Sequence, residues 1–312
     1  MAGLADLGFS DIAIEAEPSA CRYKRFAEDI KVHPVPQEYW PDLVALRETL
    51  VHREESRFRT EFQGLRLRVQ RRQTPYGPVF IARHIAAQLL RLEQVGLPLP
   101  VVQAIQDARL RVGFLIFAGG PGSGKTTTAC ALLVDRLERI GGFTWTAENP
   151  VEFDLQGPHG AGQCYQEEID EDGQVMRVLM DTLRSGADTF YIGEIREEQS
   201  ARAACLAAAS GMLVVSTLHA DNPQQAILKI GMLAGFDSIA QSLRGIVTLR
   251  LESRPSPSGS QRVLSVQPFF VEDEAARMKI RDGNLAAIQQ DIDLQKNRSM
   301  MTGRMVGGGL VR

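Results

Sequence analysis

Gly119-Gly120-Pro121-Gly122-Ser123-Gly124-Lys125-Thr126 is the stretch that decides the fold. It satisfies GxxxxGK[ST] without a gap. Its context gives the match meaning, because a buried-looking strand pattern over 112–118 leads in and a helical pattern over 125–139 leads out. Glycines permit positive φ angles and let backbone N–H groups point at phosphate oxygens. The helix amino terminus adds its partial positive charge. Lys125 is expected to reach the β- and γ-phosphates and the Thr126 hydroxyl to hold Mg²⁺, with Thr127 completing the nucleotide-binding stretch.

Downstream, strand and helix patterns alternate: strand 143–147, helix 175–184, strand 189–192, helix 197–209 and strand 213–217. That alternation predicts a parallel sheet covered by helices, an α/β class. A helix over 101–109 precedes the first strand. Before it, Gly96-Leu97-Pro98-Leu99-Pro100 reads as a stiff connector and a domain boundary. The preceding residues read as a small α+β unit. Asp11 to Glu15 alternates like a strand, and 43–57 has helical spacing through Leu43, Leu46 and Leu50. Residues 65–70 and 79–82 alternate again across the turn Thr74-Pro75-Tyr76-Gly77-Pro78. A Pro/Ser/Gly turn at 255–260 interrupts the carboxy-terminal third, and the tail 305–312 is expected to be flexible. The expected division is therefore 1–95, a linker 96–104, a catalytic domain 105–304, and the tail.

Of the 312 residues, 44% are hydrophobic and 23% charged, ordinary globular values that exclude a disordered or fibrous chain. A net charge of −3 argues against a protein that coats nucleic acid without sequence preference, since that needs many phosphate contacts. The four cysteines, Cys21, Cys130, Cys164 and Cys205, form no CxxC pair, so they read as reduced thiols. Neither a secretion signal nor a transmembrane segment is visible, and a cytoplasmic protein is expected.

In an open α/β sheet, ligands lie at the carboxyl ends of the strands, so polar residues there are the candidates. Glu148 follows one strand, where a carboxylate can polarise the water that attacks the γ-phosphate or simply cap the turn. Glu194 follows Phe190-Tyr191-Ile192-Gly193, expected as the strand beside the P-loop, and suits Mg²⁺ or its coordinated water. Asp188 and Arg196 nearby are more ambiguous, because strand ends often carry solvated charges. His219 follows Val214-Val215-Ser216-Thr217-Leu218 and is placed to sense the γ-phosphate.

The order of the P-loop, Glu148-Asn149-Pro150-Val151-Glu152, Gly193-Glu194-Ile195-Arg196 and Ser216-Thr217-Leu218-His219-Ala220 resembles the PilT/GspE superfamily of hexameric secretion and pilus ATPases. These blocks are similar to that family's Walker A, Asp box, Walker B and His box. Gly8-Phe9-Ser10-Asp11-Ile12-Ala13-Ile14 resembles its first strand, and 66–85 its Arg-rich segment. Ser242-Leu243-Arg244-Gly245-Ile246-Val247 and Ile280-Arg281-Asp282-Gly283 resemble its carboxy-terminal helices. The likeness spans roughly 8–302.

The resemblance implies a RecA-like P-loop ATPase core behind a PAS-like amino-terminal domain. It also implies ATP and Mg²⁺ as ligands, a homo-hexamer, and work at an inner-membrane platform protein, without direct nucleic-acid contact. It makes Glu148, Glu194 and His219 catalytic, with Glu152 as a second Asp-box acid. Arg68, Arg72 and Arg83 become trans-acting arginines, with Arg83 first because it precedes the hinge. The alternative is that these arginines pair with acids of their own domain such as Glu54, Glu55 or Glu61.

The chain departs from the family pattern at Asn149, at Gly211-Met212, at Tyr191 and at Leu249-Arg250. The turn from Glu252 to Ser260 carries no cysteine, whereas assembly enzymes of the GspE kind usually have a tetracysteine zinc insertion there. A retraction-like PilT relative is therefore the leading expectation, with an assembly-type ATPase as the alternative. A nucleic-acid motor, which needs basic and aromatic residues along a channel, fits less well in a chain with 6% aromatics. A small-molecule kinase lacks its Arg-rich lid between Gly211 and Leu251.

Overall fold

Period-two patterning near the amino terminus builds an antiparallel sheet. The computed structural model describes residues 3–25, 31–85, 89–256 and 259–306, with side chains described outside 253–262 and 297–306. The first elements are β1 (Phe9–Ile14), β2 (Arg22–Arg25), β3 (His33–Pro34), α1 (Trp40–Val51), β4 (Arg57–Phe62), β5 (Leu65–Thr74) and β6 (Gly77–His84). The sheet order is β3-β2-β1-β6-β5-β4. Along β5, Leu65, Leu67 and Val69 are buried, and they share one core with Ile12, Ile14, Phe80 and the α1 residues Leu43, Leu46 and Leu50. Arg66, Arg68 and Arg72 occupy the opposite face of that strand by the same alternation.

Two expectations are corrected in this unit. The helix expected over 43–57 stops at Val51, and Arg57 opens β4, a strand the sequence did not announce. The charges Arg57, Arg59 and Glu61 hide its alternation, and pairing with β5 in the register Arg59↔Arg68 is what makes it a strand.

Contacts divide the chain into compact units at Met1–Gln88 and Leu89–Arg312. The second unit begins with α2 (Leu99–Gln106), which takes up much of the expected linker 96–104. Then follow β7 (Gly113–Ala118), α3 (Lys125–Arg139), β8 (Gly142–Glu148), β9 (Gly157–His159), β10 (Gly162–Glu168), α4 (Gln174–Thr182) and β11 (Thr189–Ile192). The chain continues through α5 (Glu198–Ala209), β12 (Leu213–Leu218), α6 (Pro223–Ala234), α7 (Phe236–Ser242), β13 (Leu243–Ser256), β14 (Gly259–Phe270), α8 (Glu274–Arg281) and α9 (Leu285–Val306).

The second sheet runs β14-β13-β7-β12-β11-β8-β10-β9. Neighbours from β13 through β10 are parallel, and β14 and β9 pair antiparallel at the two edges. All of β7 is buried, as a central parallel strand covered on both faces must be. Phe114, Ile116 and Ala118 face one core with residues of α4 to α9, and Leu115 and Phe117 face another with α2 and α3. Among the described residues, no helix is long and apolar enough to cross a membrane.

Four further expectations change here. The strand carrying Glu194, β11, does not adjoin β7, because β12 lies between them. Residues 243–247, expected as helix, open β13, since hydrogen bonding to β7 outweighs the short helix-like spacing of Leu243, Ile246 and Val247. Pro255, Ser256, Gly259 and Ser260, expected within a turn, pair as the last rungs of the long β13–β14 ladder. Finally, α9 reaches Val306, inside the expected tail, and 307–312 lie outside the described residues.

Candidate nucleotide site

The loop after β7 turns into α3 through Gly124, whose φ of 90° falls in the left-handed region that glycine reaches without strain. Gly119 is needed for a different reason. A Cβ there would fall 2.3 Å from the Leu249 carbonyl oxygen and 2.5 Å from Ser123 Oγ, so the strand end and the loop close up only around a glycine. Gly119, Gly120, Pro121, Gly122 and Ser123 line a cavity of about 360 Å³ with Asp221, Leu249, Arg250 and Leu251. Ser123 Oγ is buried and has no hydrogen-bond partner. An unpartnered hydroxyl costs free energy unless something accepts its proton, and a phosphate oxygen does.

Lys125 is 8% exposed and its Nζ donates to the Gly120 carbonyl at 2.8 Å, so the ammonium is folded back over its own loop. Burial pushes the Lys125 pKa down, while the Glu194 and Glu152 carboxylates pull it up. Both acids therefore act on the same ammonium. Thr126 and Thr127 follow on the first turn of α3, half-buried.

Glu194 is bracketed. Arg196 Nε donates to one carboxylate oxygen at 2.7 Å, and His219 Nε2 lies 3.1 Å from the other. The β11–β12 pairing that brings His219 here is supported by Thr217 Oγ1 donating to the Gly193 carbonyl at 2.7 Å. His219 thus comes directly after β12, the strand next to β7, and meets Glu194, which comes just after the neighbouring β11.

Glu148 ends β8 and is 1% exposed. Its Oε1 accepts from Thr146 Oγ1 at 2.7 Å and from Gln166 Nε2 at 2.8 Å. Gly193 lies against it, since a Cβ on that glycine would sit 3.4 Å from Glu148 Cα. Glu152, by contrast, is exposed. Tyr191, the polar oddity in an apolar strand, is fully buried with its hydroxyl 3.5 Å from the Gly193 carbonyl, and burial holds its phenol well above the ordinary range. Cys130 is likewise buried, and its thiol is pushed up by desolvation and by Glu148 and Glu152.

The three arginines lie in the first unit. Arg83 Nε donates to Asp11 Oδ1 at 2.6 Å, an acid outside the set Glu54, Glu55 and Glu61. Arg68 stands opposite Arg83 in the β5–β6 register, and Arg72 is exposed opposite Val79. Sequence reasoning missed Gln166, Thr146 and Asp221, and gave Arg250 no role. Thr146 is a local neighbour of Glu148 on β8, two residues before it, whereas Gln166 and Arg250 reach the site through strand order and register.

Residues 53–297 match the family described as type II/IV secretion system protein. The chain belongs to this family. It is 34% identical to a putative type II secretion system protein E of Escherichia coli over 55% of this chain and 34% of that protein. It is 28% identical to the type IV pilus ATPase PilU of Pseudomonas aeruginosa over 71% of this chain and 58% of that one. The chain thus spans about a third of the first relative and 58% of the second, in both cases less than two thirds. Among solved structures, the pilus retraction motor PilT with bound ADP has a similar fold, with a TM-score of 0.74 at 23% identity over 92% of this chain and 86% of that chain.

Proposed function

We propose that this secretion-family chain hydrolyses ATP with Mg²⁺ as one subunit of a PilT-like ring motor. Its work is type IV pilus dynamics of the retraction kind, or a related secretion or conjugation step. The observation that supports this best is the glycine cradle over the buried, unpartnered Ser123 hydroxyl, with the buried Lys125 ammonium folded over the same loop. Similarity to PilU, and the ADP carried by the PilT structure, favour the same ligand and the same branch of the family.

The residues fit the chemistry. Backbone N–H groups of the loop and Lys125 bind the phosphates, and Glu148 takes the proton of the attacking water. Thr126 and Glu194 offer the hard oxygen atoms that Mg²⁺ prefers. Bound there, Mg²⁺ neutralises charge developing on the phosphates. His219, held on Glu194, reports whether a γ-phosphate is present. We place the motor in the cytoplasm at an inner-membrane platform protein, with the amino-terminal unit as its PAS-like domain.

A head-to-tail contact closes into a ring when its rotation matches the symmetry, so native mass measurement with a non-hydrolysable ATP analogue should show about six chains. A strict monomer at micromolar concentration under those conditions removes the motor reading. The arginines are tested by mixing subunits. One lysine is little charge for ATP, and an arginine from a neighbour can supply a large share of the rate. Rings mixed from Arg83→Ala and Lys125→Ala subunits should therefore recover activity that neither has alone. No recovery in verified mixed rings leaves Arg83 to its own unit, where it already holds Asp11.

A further inference from the structure

Glu148 is a buried carboxylate on the last residue of a strand, and several torsions separate it from the backbone that anchors it. Something must hold it in one orientation if it is to take a proton from a water, because misplacement of a reacting group is costly in rate. Within the second unit, two donors converge on the same oxygen. Thr146 Oγ1 approaches Glu148 Oε1 from β8 itself, and Gln166 Nε2 approaches from β10, whose register sets Gln166 opposite Thr146. Hydrogen bonds to an ionised acceptor are the strong ones.

Gln166 does more than meet Glu148. The same Nε2 donates to the Phe153 carbonyl at 3.0 Å, and its Oε1 accepts from the Leu155 backbone N–H at 2.6 Å. Its own backbone N–H donates to Gln156 Oε1 at 2.8 Å. One side chain therefore joins the carboxylate at the end of β8 to Phe153 and Leu155, directly after the second acid, Glu152.

We infer that Gln166 is a positioning residue for hydrolysis: its amide orients the Glu148 carboxylate and locks it to the loop that carries Glu152. This rests on Glu148 being the water-activating group. Gln166 touches neither nucleotide nor water in this role, so its loss slows the chemical step and leaves ATP binding in place.

Gln166→Met keeps the length and removes both polar atoms. The expected result is a fall in kcat of about tenfold with KM for ATP within about twofold, the pattern of an interaction used in the transition state. The deciding measurement repeats Gln166→Met in a Glu148→Gln background, following released phosphate over hours. A residue that acts through Glu148 then changes the residual rate by less than about twofold, whereas independent effects multiply. An equal fold-loss in both backgrounds, or a raised KM with kcat unchanged, overturns the inference. Should the Met variant fail to fold, Gln166→Glu keeps the shape and sets a second carboxylate against the first. It is expected to lose kcat more severely than tenfold, and wild-type kcat in that variant overturns the inference too. If Glu148→Gln alone keeps wild-type turnover, the reading of Glu148 fails and takes this inference with it. If Glu148→Gln is slow while Gln166→Met and Gln166→Glu are both fast, only the role of Gln166 fails.

Discussion

Lys125→Ala should abolish measurable ATP turnover and weaken nucleotide binding. Lys125 is the one full positive side chain of the P-loop, and in the described structure its ammonium is nearly buried with its donor turned onto Gly120. Burial has already stripped it of water, so binding phosphate exchanges a carbonyl partner for an anion at little further desolvation cost. In a site that excludes water such a charge is worth far more than at the surface. Removal of a single preorganised donor elsewhere costs on the order of 10²- to 10³-fold in rate, and a whole charge sets at least that scale here. Phosphate release and a nucleotide-binding titration read the two effects separately. Hydrolysis at the wild-type rate in Lys125→Ala would mean that the P-loop assignment is wrong.

The acids give the second large effect, with a different signature. Glu148→Gln should lose hydrolysis by about 10²- to 10⁴-fold, the range for a positioned proton acceptor, and Glu194→Gln, which removes an anionic oxygen proposed for Mg²⁺, should lose most of its hydrolysis too, while ATP affinity stays close to that of the wild type in both. The cradle proposed for the phosphates is made mainly of backbone amides and Lys125, both of which these substitutions leave in place. The two variants differ in what they disturb. Glu148→Gln leaves Thr146 and Gln166 facing an amide in place of a carboxylate. Glu194→Gln removes the charge that holds Arg196 and faces His219, so any response of His219 to bound nucleotide should be lost with it. Affinity measured by titration beside turnover tests the claim. Unchanged turnover in Glu148→Gln moves the water-activating role to the exposed Glu152.

Local chemistry made much of this site readable in advance. The sequence by itself determined the P-loop, the strand before it and the helix Lys125–Arg139, because each depends on residues within a few positions of one another. It also determined that Glu148, Glu194 and His219 lie at the carboxyl ends of strands, since apolar runs mark buried parallel strands wherever they occur. Only the tertiary structure decided which strands are neighbours. The insertion of β12 between β7 and β11, the turn of 243–247 into β13, and the existence of β10 all depend on ladder hydrogen bonds between segments far apart in the chain. Gly162–Glu168 reads as polar and has no local reason to be a strand until β8 offers its edge. The contact of Gln166 with Glu148 and the place of Arg250 in the wall of the P-loop cavity follow from those pairings, and the contact of Arg83 with Asp11 follows from the β1–β6 pairing in the first sheet. A side chain's periodicity specifies the face it takes, and the partner on that face is chosen by long-range register, which no local pattern encodes.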